Sequence, residues 1–271
     1  MLEISEKDLE RLTTYLKRKF GLVLFEKKAL VESRLGFYIK EKGFSNYTDY
    51  LNYVFSDHTG KELSNMVDKL TTNHTYFMRE HEHFQHFTDV FLPKMEKAFR
   101  NEKEKEIRIW SAGCSYGNEP YNIVICLLEY FGIYAKQWDF KVLATDISFT
   151  ALRTAKLGIY KADVMERMDP LLVEKYFKRQ KDGSYQVIDR VRENVVFKYH
   201  NLMDEIKFKK DFDLIFCRNV MIYFDEKTRH KLTESFYDAS KPGAYLYIGH
   251  TENLSNQTSY KKEKPSIYIK E

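Results

Sequence analysis

The segment most suited to chemistry is Phe216-Cys217-Arg218-Asn219-Val220-Met221-Ile222-Tyr223-Phe224. Arg and Asn are costly to bury without partners, so their place directly after a core-type run is informative. Ligands of open parallel sheets gather at the carboxyl ends of strands. A capped loop closed by an aromatic plug is the competing reading, and function is favoured here. A second segment, Ile107-Arg108-Ile109-Trp110-Ser111-Ala112-Gly113-Cys114-Ser115-Tyr116-Gly117-Asn118-Glu119-Pro120, reads as strand, glycine loop and helix start. It lacks the Gly-Lys-Ser/Thr of a Walker loop and the glycine spacing of a dinucleotide fingerprint. Gly113 lets backbone approach a ligand closely, and Glu119 suits a cationic or hydroxyl-bearing ligand rather than a phosphate. On spacing alone an ordinary β–α turn explains this segment equally well.

Two further segments carry polar groups at telling places. Ala144-Thr145-Asp146-Ile147-Ser148 puts an acid at the end of a second strand, where it can accept from a ribose diol or simply cap the next helix. Thr71-Thr72-Asn73-His74-Thr75-Tyr76-Phe77-Met78-Arg79-Glu80-His81-Glu82-His83-Phe84 reads as a polar start to an amphipathic helix. Arg79 and Glu80 are expected to form a surface pair of little consequence. The histidines at 81, 83 and 86 invite a metal reading, but a zincin would need His at position 85, which is Gln85. A solvated, partly packed face is expected instead, and no metal.

The elements that position these segments follow from periodicity. Ser5 with Asp8 resembles a capping pair, and Leu9, Leu12, Leu16 and Phe20 recur at helical spacing up to Gly21. Helices are also expected over 26–42 (beginning at Glu26), 47–55 and 61–70. A long helix is expected over 76–100, with Pro93 a point of interruption. From Glu106 the pattern changes to strands alternating with helices. Strands are read at 107–110, 140–144, 195–197, 213–217 and 245–248. Helices are read after the glycine loop, from Thr150, and over 226–240, with Lys241-Pro242-Gly243 as a turn. This alternation predicts an α/β protein with a mostly parallel, doubly wound sheet. Residues 158–192 break the alternation. Asp182-Gly183 between Tyr176-Phe177 and Tyr185-Gln186-Val187-Ile188 signals a hairpin, hence a small antiparallel excursion.

Composition bounds the rest. The 271 residues suit one large domain or two modest ones. At 43% hydrophobic and 15% aromatic the chain is not a disordered one. No apolar run approaches the ~20 residues of a membrane span, and no signal peptide is visible after Met1. Cys114, Cys126 and Cys217 have no metal-ligand spacing and fit a reducing cytoplasm. The net charge of +4 conceals a basic stretch: residues 11–42 hold nine Lys/Arg against three Glu, a net of +6. A solvated helix surface is the bland account of that stretch.

Taken together, and in this order, the four segments resemble the CheR family of chemoreceptor protein-glutamate O-methyltransferases. The resemblance runs from the N-terminal helices to Gly249-His250-Thr251-Glu252-Asn253-Leu254-Ser255. It implies an all-helical N-terminal domain (1–70), a linker helix (71–100), and a class I methyltransferase domain, Rossmann-like, with a small β-subdomain (101–271, subdomain about 158–192). It implies S-adenosylmethionine as cofactor and S-adenosylhomocysteine as product. Asn73, Thr75, Arg79, Gly113, Glu119, Asp146, Asn201, Leu202, Arg218 and Asn219 would hold the cofactor, with Asp146 on the ribose hydroxyls and Asn201-Leu202 beside the adenine. Arg79 would orient the substrate carboxylate and Tyr223 would sit near the methyl group. Lys17, Arg18 and Lys19 would dock the Glu-rich helices of the cytoplasmic domains of chemoreceptors. The expected setting is cytoplasmic, at receptor arrays, as a monomer without nucleic acid. Two departures fall in the glycine loop without removing a transferred contact: the usual Ser-Thr-Gly is Ser115-Tyr116-Gly117, and the usual Gly-Glu-Glu-Pro is Gly117-Asn118-Glu119-Pro120. The usual Phe-Phe-Arg-Glu is Phe77-Met78-Arg79-Glu80. A cofactor-binding module without catalysis, a nucleotide-dependent oxidoreductase and a nucleic-acid methyltransferase are the alternatives.

Overall fold

The computed structural model describes residues 2–25, 27–71, 73–254 and 257–271. Met1, Glu26 as a helix start, Thr72 of the Thr-Thr-Asn segment and Ser255 lie outside the described residues. Four helices come first: α1 (Glu6–Phe20), α2 (Lys28–Glu41), α3 (Tyr47–Ser56) and α4 (Lys61–Leu70). The Ser5 side chain accepts from the Asp8 amide at 3.1 Å and starts α1. Gly21 ends it at φ 71°, its amide returning to the Lys17 carbonyl. Leu9, Leu12, Leu16 and Phe20 form the buried stripe. Around them the buried Glu62 carboxylate takes the Tyr38 hydroxyl at 2.7 Å and the Lys42 ammonium at 3.1 Å.

The expected helix over 76–100 begins only at His81. Met78 and Glu80 adopt φ 58° and 54°, which no α-helix accepts, so residues 73–80 form an irregular strap. Then come α5 (His81–His86), a π turn (Phe87–Phe91) and α6 (Leu92–Ala98). Pro93 does not break this rod. It sits in the first turn of α6, and the wider π turn before it absorbs the missing amide.

β1 (Lys105–Ala112), α7 (Asn118–Phe131), β2 (Trp138–Asp146) and α8 (Phe149–Leu157) follow. A small antiparallel sheet comes next: β3 (Ile159–Tyr160), α9 (Ala162–Met165), α10 (Pro170–Tyr176), β4 (Phe177–Arg179) and β5 (Tyr185–Val187), ordered β3-β5-β4. The turn between β4 and β5 closes through Gln180 N–H to the Ser184 carbonyl at 2.7 Å. The chain ends with α11 (Asp189–Arg192), β6 (Val195–Tyr199), β7 (Phe212–Cys217), α12 (Glu226–Asp238), β8 (Ser240–Ile248), β9 (Lys261–Lys264) and β10 (Ile267–Ile269).

Seven strands form the main sheet in the order β6-β2-β1-β7-β8-β10-β9. The first five run parallel; β10 is antiparallel to both β8 and β9. Alternation along β1 divides the core: Ile107 and Ile109 join α7 and the π turn on one face, while Trp110 and Ala112 join α12 and the N-terminal helices on the other. Two expectations need correction. Lys241-Pro242-Gly243 is not a turn before the last parallel strand but lies within β8, where the pairing jumps from Phe212↔Ser240 to Leu214↔Tyr245, a bulge around Gly243. The antiparallel edge, β9 with β10, was not expected. All four residues of β9 are exposed and charged, so no apolar alternation announces it. No helix among the described residues is long and apolar enough to cross a membrane.

Candidate active site

The tips of four adjacent parallel strands open into one cleft. Asn201 and Leu202 follow β6, Asp146 ends β2, Gly113 follows β1, and Arg218 and Asn219 follow β7. Strand spacing of about 4.8 Å makes that row roughly 14 Å long, the reach of an extended nucleoside bearing an amino-acid arm. The irregular strap supplies Asn73, Thr75 and Arg79 across the opening, and Tyr223 closes one end. The fold thus brings together in one cleft all eleven residues assigned by resemblance to cofactor or methyl transfer.

Gly113 shows why the loop needs glycine. Its φ is 85°, and a Cβ there would meet Val220 Cγ2 at 2.4 Å. Asp146 is buried and accepts from two amides, Ser115 at 2.8 Å and Ser148 at 2.9 Å. Burial is the largest influence on its carboxyl and pushes its pKa up, while those amides pull it down. The helix-cap alternative belongs to Ser148, whose Oγ accepts from the Ala151 amide at 2.9 Å.

Arg218 is the electrostatic centre. Its side chain is 3% exposed and contacts Glu119 at 3.0 Å and Glu80 at 3.1 Å; it also donates to the Arg79 carbonyl and lies 5.5 Å over the Phe84 ring. Glu119 accepts the Ser111 hydroxyl at 2.7 Å with its other oxygen. Burial pushes Glu119's pKa up, with Arg218 opposing. Glu119 thus lines the cleft already paired with Arg218. Glu80 corrects a second expectation. It pairs with Arg218 rather than with Arg79, and at 12% exposure its side chain is largely withdrawn from the surface. Burial raises its carboxyl's pKa, but the His83 ring nitrogen 3.3 Å away and the Arg218 charge outweigh that and hold it well below the usual range.

Asn219 sits at φ 60°, and Glu252 holds it there. The buried Glu252 carboxylate accepts from the amides of Gly249 at 2.6 Å, Asn219 at 2.9 Å and Ile222 at 3.0 Å. Glu252 lies in the last matching segment, yet only the fold reveals that it braces the Arg218–Tyr223 loop.

Arg79 is half-buried at the mouth. It donates to the His74 carbonyl at 2.8 Å and lies 5.9 Å from the centre of the Tyr76 ring. Of the histidines expected on a solvated face, His83 and His86 are buried. His86 lies 2.6 Å from the Tyr247 hydroxyl and 3.1 Å from Glu263. Glu80, His83 and His250 bring ligand-type atoms within 4.8 Å of one another. The Glu80 oxygens already accept from Arg218, Asn219 and the His250 amide, and a buried guanidinium beside them opposes a cation.

The N-terminal helices form one wall of the cleft through Phe20 and Leu22. Among the bonds that fix them there are Asn201 Nδ2 to the Lys19 carbonyl at 2.7 Å, Val23 N–H to the Tyr223 carbonyl at 2.9 Å, Lys17 to Asp225 at 2.8 Å and Thr150 N–H to Asp68 Oδ2 at 3.3 Å. Arg18 and Lys19 are exposed, and Lys19 approaches the Tyr15 hydroxyl at 3.3 Å.

An open parallel sheet with an acid at the β2 tip, a glycine loop after β1 and an antiparallel last pair defines a class I S-adenosylmethionine-dependent methyltransferase. Residues 73–269 match the family model of the CheR methyltransferase SAM binding domain, and residues 7–71 that of the CheR methyltransferase all-alpha domain. The chain belongs to the CheR methyltransferase family. It is similar to the chemotaxis protein methyltransferase of Borreliella burgdorferi, 43% identical over 99% of this chain and 96% of the relative. It is also similar to chemotaxis protein methyltransferase 2 of Vibrio cholerae (36%, covering 94% and 88%) and the chemotaxis protein methyltransferase of Escherichia coli (33%, covering 94% and 87%). The protein is an S-adenosylmethionine-dependent methyltransferase of chemotaxis. The cleft's chemistry fits that cofactor: the Asn122 amide and the His200 Nε2 are buried at its wall without hydrogen-bond partners among the described residues.

Proposed function

We propose that the enzyme methylates glutamate side-chain carboxylates on the cytoplasmic domains of methyl-accepting chemoreceptors, forming methyl esters and S-adenosylhomocysteine and so serving chemotactic adaptation. The observation that carries this reading is the division of labour between the two arginines of the cleft. Arg218 is neutralised by Glu80 and Glu119, whereas Arg79 donates to a carbonyl and stands at the mouth, where an anionic substrate side chain arrives.

S-adenosylmethionine, when bound, supplies a methyl group already activated by its sulfonium. A glutamate with a pKa near 4.3 arrives ionised at neutral pH, so no general base is needed. The protein's work is to hold donor and acceptor in line and to exclude water. Asp146 offers its carboxylate to the ribose hydroxyls; Asn201 and Leu202 flank the adenine; Asn73, Thr75, Gly113 and the Arg218–Asn219 pair line the rest. Arg79 orients the incoming carboxylate. A tighter ion pair there would favour the ground state over a transition state that is losing charge. Tyr223 positions the reacting groups through its hydroxyl. Arg18 and Lys19, exposed at the end of α1, and Lys17 beside them dock the acidic receptor helix. Within 11–42, Lys17 pairs with Asp225, Lys28 with Glu6 and Lys42 with Glu62, while Arg11 donates to Asn52 and Arg34 to the Leu70 carbonyl, whereas Arg18 and Lys19 stand exposed at the end of α1. The protein works in the cytoplasm, associated with receptor arrays.

The test is transfer of labelled methyl from S-adenosylmethionine into receptor-containing membranes, followed by base treatment. Release as methanol identifies a carboxyl ester; a base-stable product refutes the reading. Retained turnover in both Arg79→Ala and Tyr223→Phe, with the cofactor still bound, would remove the assigned roles.

A further inference from the structure

We propose that Asn122 binds the amino-acid end of S-adenosylmethionine, an inference that rests on the cofactor lying across the four strand tips with Asp146 at its ribose. Asn122 lies in α7, is 1% exposed, and lines the cleft. Neither its Oδ1 nor its Nδ2 has a hydrogen-bond partner among the described residues. A buried amide left in that state is costly, so the position makes sense only if something else satisfies it. Asn118, one turn earlier, also leaves its Nδ2 without a partner, but it does not line the cleft. Of these two amides without partners, only that of Asn122 belongs to a residue lining the cleft.

Topology decides which end of the cofactor it meets. With the ribose at the tip of β2, the base lies toward β6, beside Asn201 and Leu202. The amino-acid arm then runs the other way, over β1 and β7. There α7 begins, and Glu119 and Asn122, three residues apart, share one helix face. The arm carries an ammonium and a carboxylate. Arg218 and Glu119 are the obvious counter-charges, but they contact each other at 3.0 Å and largely cancel. A neutral amide offers one acceptor and two donors, which matches both ends of a zwitterion without adding net charge. This assignment also gives α7 a role beyond its first turn, the part that the glycine-loop motif covers.

The test is isothermal calorimetry of wild type, Asn122→Ala and Asn122→Leu with two probes: S-adenosylhomocysteine, and 5′-methylthioadenosine, which lacks the amino-acid carbons. Both variants should weaken S-adenosylhomocysteine binding about tenfold or more and 5′-methylthioadenosine less than about twofold. Because Asn122→Leu removes an unsatisfied polar group at similar volume, its ligand-free unfolding temperature should equal or exceed wild type's. Equal losses for both probes, or no loss for either, would overturn the proposal. Wild type failing to bind S-adenosylhomocysteine would instead strike the cofactor placement itself.

Discussion

Arg218 and Glu80, 138 positions apart, form a largely buried ion pair at 3.1 Å that joins the tip of β7 to the strap across the cleft. The pair anchors the segment that carries Arg79, since Arg218 also takes the Arg79 carbonyl. Arg79 therefore reaches the mouth of the cleft from a backbone that the site's own electrostatics hold in place.

Removing Glu80 should be expensive. Glu80→Ala leaves a buried guanidinium with Glu119 as its remaining carboxylate, and losing one member of a buried pair costs about 3–5 kcal/mol. Urea denaturation should show a loss of that order, with methyl transfer falling as the strap loosens. A variant with unchanged midpoint and turnover would show the pair to be idle.

The same residue predicts an acid limb in stability. Its carboxyl is held below the ordinary range in the folded protein, whereas in the unfolded chain it titrates near 4.3. The unfolded state therefore binds the proton first. The contribution is fully present above that value and is lost as pH falls toward the folded pKa. Stability measured from pH 6 down to pH 3 should fall less steeply in Glu80→Gln than in wild type.

Asp146→Ala separates the two roles open to an acid at the β2 tip. Ser148 caps α8 by itself, so the helix should survive, although the Ser115 and Ser148 amides lose their acceptor and stability should fall by about 1–3 kcal/mol. A ribose contact made by a charged acceptor is worth about 1.5–3 kcal/mol, so calorimetry should show S-adenosylhomocysteine affinity falling roughly tenfold to a hundredfold. Loss of stability with affinity intact would reverse the assignment.

Glu252→Ala tests the brace beneath the Arg218–Tyr223 loop. It strands three backbone amides and releases Asn219 from its left-handed conformation. A loss of at least about 2 kcal/mol is expected by urea denaturation, accompanied by weaker S-adenosylhomocysteine binding. Unchanged affinity would show that the loop keeps its shape without the carboxylate.

The basic end of α1 divides into two functions. Arg18→Glu and Lys19→Glu should lower kcat/KM toward receptor at low salt, with the difference from wild type shrinking as salt rises. Lys17→Glu should show that effect and also lower stability by a few tenths of a kcal/mol, because its partly exposed pair with Asp225 is a screened one. Absence of any salt dependence would place receptor docking elsewhere.

Much of this protein was written locally. The Ser5 cap, the Leu9-Leu12-Leu16-Phe20 stripe and the Gly21 stop determine α1 because each acts within a few residues. Ile107 to Trp110, Leu214 to Cys217 and the glycine loop between strand and helix read directly as a parallel sheet with a ligand edge. What depended on distance in sequence was decided by the tertiary structure. Glu80 looks like a surface partner of Arg79, and Glu119 like a carboxylate open to a ligand, until Arg218 arrives from β7. His83 and His86 look solvated until the π turn and β8 bury them. The strap over 73–80 looks helical until Met78 and Glu80 take left-handed conformations, with Glu80 bound to Arg218. Burial, pairing and the direction of an amide such as Asn122's are properties of the assembled space. Periodicity and spacing record only what neighbours along the chain can do.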